Sequence, residues 1–371
     1  MRIGCPTEIK AREYRVGLTP ESAGELIHAG HQVFIQSGAG LGIGADDDQY
    51  RKVGATIVAG AAAVFEAAEM VIKVKEPQGS EIAMLRPDQT LFTYLHLAPD
   101  PEQTKALMAS GATAIAYETV TDRHGLLPLL RPMSEVAGRM SVQVGASLLE
   151  KTHGGRGILL GGVPGVRAAS VVILGGGVAG YNAAQIAVGM RARVTVFDKR
   201  LEPLEQLDRE FEGRLQTVYS TRAAVAEALA DADLVIGAVL VPGAAAPKVV
   251  TRDMLKTMSP GSVMVDIAID QGGCFETSRP TSHDAPTYEV DGVIHYCVTN
   301  MPGAVARTST FALNNVTLPF AMAMANKGVQ AALNADPHLA AGLNVAGGHV
   351  AHEAVARDLG MPLRRPEWLK G

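Results

Sequence analysis

Three glycines in this 371-residue sequence have the spacing of a loop that holds phosphate groups. Gly175, Gly177 and Gly180 form the pattern G-x-G-x-x-G, directly after the apolar run 170–174 and before a predicted helix that starts at Tyr181. Each glycine has its own physical role: a tight turn, close approach of the backbone to a pyrophosphate, and close packing of helix against strand. The helix N-terminus adds N–H donors and the positive end of a dipole. The pattern therefore predicts a dinucleotide-binding fold rather than an ordinary tight turn.

Asp198 indicates which dinucleotide is bound. It ends the next predicted strand, 193–198, and lies 18 positions after Gly180. A carboxylate there accepts hydrogen bonds from both ribose hydroxyls of NAD but repels a 2′-phosphate, by roughly 4 kcal/mol per unit-charge pair at ~4 Å and an effective dielectric constant of ~20. Lys199 and Arg200 offset this repulsion if they turn inward, so the sequence favours NAD over NADP without excluding NADP. The alternative role of Asp198 is to cap the following helix.

Three basic side chains are candidates for binding and converting a small anionic substrate. Lys75 and His96 lie at the carboxyl ends of two predicted strands, 70–75 and 90–96, and Arg15 lies just before a predicted helix. Open α/β sheets bind their ligands at the carboxyl ends of the strands. Taken singly, a strand-end Arg or Lys is usually a solvated charge, and a His is usually a satisfied surface or core residue. Composition and spacing alone predict only candidate ligands for an anion.

A fourth candidate, Asp270, lies where two carboxylates follow an apolar strand. The predicted strand 262–267 contains Asp266, and Asp270 precedes the pair Gly272-Gly273. If this strand occupies its expected place in the sheet, Asp270 lies near the nicotinamide end of the cofactor. An Asp that only starts a glycine turn is an equal alternative.

The elements that position these residues alternate between strand and helix, which predicts parallel sheets with helices on both faces. The predicted strands of the first series are 2–5, 32–36, 55–58, 70–75, 90–96 and 113–117, and those of the second are 170–174, 193–198, 215–220, 234–239, 262–267 and 294–298. Helices are predicted from Thr19-Pro20 to Gly30, from Asp100-Pro101 to Gly111, over 132–151 and 308–327, and from there to the C-terminus. We therefore expect an α/β fold of two doubly wound Rossmann-like domains, joined by long helices, with a cleft between them. The substrate domain is predicted at 1–130 plus 305–371 and the NAD-binding domain at 131–304.

Composition argues against several classes of function. The 33 Lys+Arg and 38 Asp+Glu residues give a net charge of −5, which disfavours a nucleic-acid partner, and aromatic residues make up only 5%. The N-terminus lacks the apolar region of a secretory signal, and the uncharged stretch between Arg307 and Lys327 contains Asn, Thr and Pro, which predicts a buried helix rather than a membrane span. The three cysteines are widely separated and lack metal-binding spacing. A cytoplasmic protein without membrane partner or metal is expected.

Seven motifs, in order along essentially the whole chain, resemble those of the alanine dehydrogenase/pyridine nucleotide transhydrogenase α-chain family. They are residues 13–20 with Arg15, 73–77, 94–98, 133–140, the glycine loop 175–180, 266–273 and 300–303. The resemblance is to the alanine dehydrogenases of that family. It implies the reversible, NAD-dependent conversion of L-alanine and water into pyruvate and ammonia, by hydride transfer and imine hydrolysis, in a homohexamer.

The resemblance also implies roles for individual residues. Arg15 resembles a ligand that grips the substrate carboxylate, and Lys75 one that bonds the carboxylate or polarises the carbonyl. His96 resembles the catalytic acid/base, since imidazole ordinarily titrates at about 6.5. Asp270 resembles the residue that orients and activates the attacking water, and it acts with His96 from the opposite domain. The positions that match cofactor contacts are Ser134, Gly175, Gly177, Val178, Ala179, Gly180, Asp198, Ser220, Val239, Leu240, Ile267, Ala268, Ile269, Asp270, Arg279, Val298, Asn300 and Met301.

The sequence departs from the family pattern at a few positions. Pro203 replaces a residue that is often basic, and Ala306 stands where proline is common. Glu118 matches the carboxylate of a metal-linked pair found in some members, but Lys327 occupies the position of its histidine, so no metal is expected.

Three alternative functions remain open from the sequence. The nearest is the NAD-binding α component of a proton-translocating transhydrogenase, against which the joint presence of Arg15, Lys75, His96 and Asp270 argues. The others are a different amino-acid dehydrogenase, such as a saccharopine-processing enzyme, and a catalytically silent NAD-binding protein.

Overall fold

The computed structural model describes residues 1–239 and 246–370, which form two compact units. One unit comprises Met1–Met133 with Gly303–Gly371, and the other comprises Ser134–Pro302. We call them the outer-segment unit and the middle-segment unit. The sequence placed the two boundaries at 130/131 and 304/305.

The strands of the described residues are, in chain order, β1 (Arg2–Cys5), β2 (Gln32–Gln36), β3 (Thr56–Val58), β4 (Met70–Ile72), β5 (Thr90–Thr93), β6 (Thr113–Ala116), β7 (Ser170–Leu174), β8 (Arg193–Asp198), β9 (Gln216–Tyr219), β10 (Leu234–Gly237), β11 (Val263–Asp266), β12 (Thr287–Val290), β13 (Val293–Tyr296), β14 (Leu343–Ala346) and β15 (His349–Val350). The helices are α1 (Pro20–His28), α2 (Asp47–Lys52), α3 (Ala61–Ala67), α4 (Gly79–Ile82), α5 (Pro101–Ser110), α6 (Arg131–Leu148), α7 (Val178–Gly189), α8 (Leu201–Phe211), α9 (Arg222–Ala230), α10 (Arg252–Leu255), α11 (Ala306–Lys327), α12 (Val329–Ala335), α13 (Pro337–Ala340) and α14 (Glu353–Leu359). The expected α/β class is confirmed. Within the described ranges, no helix is both long enough and apolar enough to cross a bilayer.

The sheet of the outer-segment unit has the order β15-β14-β6-β5-β4-β1-β2-β3. Strands β1 to β6 pair in parallel, and β14 and β15 add an antiparallel edge. Both faces are covered: Met70 and Ile72 of β4 face one apolar cluster, and Val71 between them faces a second. This two-sided burial explains why the strands read as continuous apolar runs.

Two predicted helix starts in this unit are confirmed. The hydroxyl of Thr19 accepts the N–H of Ser22 at 3.1 Å, directly before α1. The carboxylate of Asp100 accepts the N–H of Gln103 at 3.0 Å, directly before α5. A proline at the first helical position completes each start, because it needs no hydrogen-bond acceptor there.

The expectation of helices alone after residue 327 is wrong. Strands β14 and β15 lie among the C-terminal helices, and β14 pairs with β6. Leu343–Ala346 is buried throughout. A four-residue segment is too short for its periodicity to distinguish a buried strand from a buried helix, so only its neighbours in the fold decide.

The middle-segment unit contains a sheet of order β12-β13-β11-β10-β7-β8-β9. All pairs are parallel except β12 with β13. The strand order reverses between β7 and β10, so the loops after these two strands open at a switch point, where doubly wound sheets bind ligands. The sequence did not predict β12, which is a partly exposed edge strand.

Candidate active site

The glycine loop after β7 has no room for side chains at two of its three glycines. A Cβ at Gly180 would lie 1.7 Å from the carbonyl oxygen of Gly175, and a Cβ at Gly175, whose φ is +104°, would lie 2.6 Å from the carbonyl oxygen of Ala238. At Gly177, by contrast, a Cβ meets no atom within 4 Å. Helix α7 then starts at Val178 without a side-chain cap. The loop therefore fits a pyrophosphate, with open space at Gly177 and N–H donors at the helix start.

Asp198 lies at the end of β8, as predicted, and its carboxylate is tied to the glycine loop. One oxygen accepts the N–H of Gly176 at 2.8 Å, and the other accepts the N–H of Arg200 at 2.8 Å. The Nε of Arg200 lies 3.5 Å from the carboxylate, whose side chain is 10% exposed. Arg200 directly precedes α8, so the bond to its N–H also places Asp198 at the start of that helix, as the alternative capping role requires.

The remaining candidate cofactor residues follow the carboxyl ends of the strands in this sheet. Ser220 follows β9, Val239 follows β10, Ile267 follows β11, and Val298 comes two residues after β13. The others are Ser134 in α6, Val178 and Ala179 in the first turn of α7, Ala268, Ile269 and Asp270 in the short 3₁₀ helix Ile267–Gln271, and Arg279, Asn300 and Met301 farther along the chain. Leu240 lies outside the described residues. The sheet of the middle-segment unit thus presents the other described candidate cofactor positions, apart from Ser134, on or after its strand ends.

Asp270 is exposed, and the buried Asp266 shapes the turn that carries it. The carboxylate of Asp266 accepts the N–H groups of Ala268 at 3.0 Å and of Cys274 at 2.9 Å, and it also accepts the hydroxyl of Ser278. Burial raises the pKa of Asp266, and the hydrogen bonds from Ser278 and the backbone oppose this shift. Asp266 therefore closes the 266–278 loop around itself and leaves Asp270 on the outside.

In the outer-segment unit, Arg15 is buried in a two-point ion pair with Glu13. Its Nε and Nη2 donate to the two carboxylate oxygens at 2.7 and 2.6 Å, and the backbone N–H of Arg15 donates to the same carboxylate at 3.0 Å. Burial alone would lower the pKa of the Arg15 guanidinium, but the bonded carboxylate outweighs burial and raises it. Glu13 thus fixes the orientation of a permanently charged group.

Lys75 lies three residues beyond β4 rather than in it, so the predicted strand 70–75 is too long. The neighbouring Lys73 is fully buried, and its ammonium group donates to Glu8 at 3.0 Å and to Glu81 at 2.7 Å. The carbonyl of Lys75 accepts the hydroxyl of Thr93 at 2.9 Å. The regular register with β5 ends at residue 72, and the side chain of Lys73 joins an internal ion cluster there; the N–H of Tyr94 still donates to the carbonyl of Val74 at 3.2 Å.

His96 likewise lies three residues beyond its strand, and the predicted strand 90–96 is too long. Its φ of +49° is incompatible with a continuing strand. The exposed imidazole stacks on the buried ring of Tyr94, with centroids 5.9 Å apart and an interplanar angle of 13°. The backbone N–H of His96 donates to Glu118 at 2.6 Å.

The structure brings Arg15, Lys75 and His96 to the carboxyl edge of three adjacent strands, β1, β4 and β5. Asp270 and the glycine loop belong to the other unit. The sequence did not predict that Glu13 supports Arg15. It placed Asp266 in a strand but gave it no role in shaping the turn. The signal for Glu13 was a carboxylate two residues before a candidate arginine.

Two family models match consecutive parts of the chain. The model of the alanine dehydrogenase/PNT N-terminal domain matches residues 4–137, and that of the C-terminal domain matches residues 141–353. The chain belongs to the alanine dehydrogenase/PNT family. Membership in this family implies a nicotinamide cofactor, and the family resemblance drawn from the sequence is confirmed.

Alanine dehydrogenases match the chain at higher identity than the transhydrogenase compared with it. The alanine dehydrogenase of Halomonas elongata is 60% identical over 97% of each chain, and that of Mycobacterium tuberculosis is 53% identical over 99% of each chain. A solved L-alanine dehydrogenase structure matches with a TM-score of 0.95 and 53% identity, covering 97% of this chain and 99% of that chain. A transhydrogenase from Sinorhizobium meliloti matches with a TM-score of 0.82 and 28% identity, covering 95% of this chain and 100% of that chain. The transhydrogenase alternative is therefore the less supported one.

Proposed function

We propose that the protein is an NAD-dependent alanine dehydrogenase. The reaction is L-alanine + NAD⁺ + H₂O ⇌ pyruvate + NH₄⁺ + NADH + H⁺. The observation that carries this proposal is that the similarity to alanine dehydrogenases spans 97% of each chain at 60% identity. This similarity therefore includes the outer-segment unit, with Arg15, Lys75 and His96, as well as the middle-segment unit.

The substrate carboxylate is proposed to bind Arg15 and Lys75. A guanidinium recognises a carboxylate through charge-assisted hydrogen bonds of defined geometry. Glu13 supports this role because its two bonds, at 2.7 and 2.6 Å, hold the guanidinium in one orientation before substrate arrives. Preorganisation of this kind lowers the entropic cost of binding.

His96 and Asp270 are proposed to move protons and to orient water. When bound, the nicotinamide accepts the hydride from Cα of the amino acid. His96 is proposed to take a proton from the attacking water and to return protons to the departing ammonia. Asp270 is proposed to hold that water through its carboxylate. Both side chains are exposed on their own units, as groups that meet a solvent-borne substrate must be.

NAD is the proposed cofactor, rather than NADP, because Asp198 places a carboxylate beside the glycine loop. The residues that are proposed to hold it are the candidate cofactor residues named above, including Ser134 in α6 and, from the sequence, Leu240. The open space at Gly177 and the uncapped start of α7 support this assignment.

The protein is further proposed to be a cytoplasmic homo-oligomer, with the hexamer that the family resemblance implies. Its cysteines are buried free thiols, which suits a reducing compartment. Leu159, Val163 and Val166 expose 66, 53 and 63% of their surface on one irregular segment, which suits contact with another subunit. Sedimentation velocity tests the assembly, and a monomer would refute it.

The decisive experiment incubates the purified protein with NAD⁺ and L-alanine and follows the absorbance of NADH. We expect His96→Ala to abolish turnover while it still binds NADH, and His28→Ala, an exposed histidine of the same unit, to remain active. Formation of NADH with another amino acid but not with alanine would indicate a different dehydrogenase. Hydride exchange between two nucleotides without amino-acid turnover would indicate a transhydrogenase component.

A further inference from the structure

The backbone conformation at His96 needs an explanation of its own. Its φ of +49° lies in the left-handed region, which residues other than glycine rarely adopt and which costs free energy unless surrounding contacts impose it. The side chain is exposed, so packing of the imidazole alone does not impose this conformation. The contacts that do so must reach the backbone.

Glu118 makes those contacts. It lies in the 3₁₀ turn Tyr117–Thr119, directly after the strand β6 that neighbours β5. Its Oε1 accepts the N–H of His96 at 2.6 Å and that of Leu95 at 3.1 Å, while its Oε2 lies 3.2 Å from the same Leu95 nitrogen. Hydrogen bonds to an ionised carboxylate are shorter and stronger than neutral ones. One carboxylate therefore holds two successive peptide groups at the point where the chain turns.

Other contacts anchor the rest of this segment, and Glu118 is the side chain that binds the N–H groups of Leu95 and His96. The carbonyl of Leu95 accepts the amide of Gln103 at 2.7 Å, and the hydroxyl of Tyr94 donates to the carbonyl of Leu129 at 2.6 Å. The ring on which His96 stacks is thus fixed from the other side. The peptide between residues 95 and 96 is thus held at its carbonyl by Gln103 and at its N–H by Glu118.

We propose that Glu118 is a positioning residue for His96: its carboxylate clamps two backbone N–H groups and thereby aims the imidazole. This inference rests on the proposed role of His96 in proton transfer. Glu118 acts through the backbone, so its geometry, rather than its charge, is what the reaction needs. The proposal therefore predicts that Gln replaces Glu118 better than Asp does, whereas a purely electrostatic role predicts the opposite order.

The experiment compares Glu118→Gln, Glu118→Asp and Glu118→Ala in alanine oxidation. The Ala variant is expected to lower kcat by about 10- to 100-fold, the usual penalty for a catalytic group displaced by about 1 Å. The Gln variant should recover part of the loss, because a carbonyl oxygen in the place of Oε1 still accepts both N–H groups, while its NH₂ group in the place of Oε2 loses the 3.2 Å contact with the Leu95 N–H. The Asp variant keeps the charge but withdraws it by the length of one C–C bond, about 1.5 Å, so it should recover less than Gln.

Two further measurements separate positioning from general damage. The KM for alanine and the dissociation constant of NADH should stay near their wild-type values, because the substitutions at Glu118 change neither Arg15 nor the middle-segment unit. The matched control is Asp122→Asn, since Asp122 also accepts two backbone N–H groups, at 2.8 and 2.9 Å, a few residues farther along the same segment. It should keep the wild-type kcat.

The inference is overturned if Glu118→Asp is more active than Glu118→Gln, or if Glu118→Ala keeps the wild-type kcat. The Gln and Asp comparison decides the matter even if the Ala variant fails to fold. Full turnover in His96→Ala would instead refute the proposed role of His96. If His96→Ala loses activity but Glu118→Ala does not, the positioning role of Glu118 is refuted and the role of His96 stands.

Discussion

Replacing Lys73 by methionine should destabilise the outer-segment unit more than most single substitutions do. The Lys73 side chain is 0% exposed, and its partners Glu8 and Glu81 are 2% and 1% exposed. Each carboxylate also accepts a backbone N–H: Glu8 that of Val74 at 2.6 Å, and Glu81 that of Gln78 at 2.8 Å. Methionine fills the space of the lysine stem but leaves two buried carboxylates without their cation.

Breaking a buried ion pair from one side costs about 3–5 kcal/mol, because the remaining charge stays buried without compensation. The triple variant Lys73→Met, Glu8→Gln, Glu81→Gln removes all the charges and keeps both backbone acceptors. Exchanging a whole buried ionic cluster for neutral groups is often near neutral, so this variant should lie within about 2 kcal/mol of the wild type.

The pH dependence of the single variant follows from the same contacts. Burial raises the pKa of Glu8 above its usual value and Lys73 opposes that rise, so removing Lys73 raises this pKa further. A carboxyl group with a raised folded pKa stabilises the fold in its protonated form, so this contribution grows as the pH falls and is lost as the pH rises through that pKa. The deficit of Lys73→Met should therefore shrink between about pH 8 and about pH 5.

Urea denaturation followed by tryptophan fluorescence measures this effect. The sequence has one tryptophan, Trp368, which packs against the apolar core of the same unit as Lys73. The reasoning is refuted if Lys73→Met is as stable as the wild type, or if the triple variant is as unstable as the single one.

Three further changes give equally specific expectations. Gly180→Ala should weaken NADH binding by at least about 10-fold, or about 1.4 kcal/mol, because the new Cβ meets the carbonyl of Gly175 at 1.7 Å; a fluorescence titration measures it. Asp198→Asn should shift the NAD-over-NADP preference in kcat/KM by about 10- to 100-fold, or about 1.4–2.8 kcal/mol, since an amide does not repel a 2′-phosphate. Burial lowers the pKa of His295, so acid favours the unfolded chain, which binds more protons; His295→Gln should lose less Tm than the wild type between about pH 7.5 and about pH 5.5.

Each of these changes has a matched control. Gly189→Ala adds a Cβ at the end of the same helix, where no atom lies within 4 Å, and should bind NADH normally. Asp253→Asn removes an exposed carboxylate from α10 and should leave the cofactor preference unchanged. His153→Gln replaces an exposed histidine and should lose as much Tm in acid as the wild type. A control that behaves like its test variant contradicts the corresponding argument.

Local sequence patterns predicted the features that local physics decides. The caps at Thr19 and Asp100 are where the sequence put them, because a cap, a proline and the first turn lie within a few residues. The glycine loop could be predicted equally well, since strand, loop and helix are contiguous in the sequence. The α/β class and the family are confirmed, whereas the catalytic and binding roles of individual residues stay predictions that the experiments above test.

Errors arose where distant parts of the chain decide the structure. The predicted strands that end at Lys75 and His96 both ran too long. Beyond the strand ends the chain is held by distant residues: Lys73 bonds Glu8, 65 positions away, and the N–H of His96 bonds Glu118, 22 positions away. Strand β14 is a strand because β6 is its neighbour. Nothing in these short segments themselves carries that information.

The sequence by itself thus determined which residues carry charge, which can form a phosphate loop, and that strands and helices alternate along both units. Only the tertiary structure decided that Glu13 grips Arg15 in a buried pair, that Asp266 closes the turn bearing Asp270, and that Glu118 holds His96 in a left-handed conformation. The physical reason is that hydrogen bonds and ion pairs of this kind depend on ångström distances between side chains. Burial, which sets their strength, is a property of the whole fold.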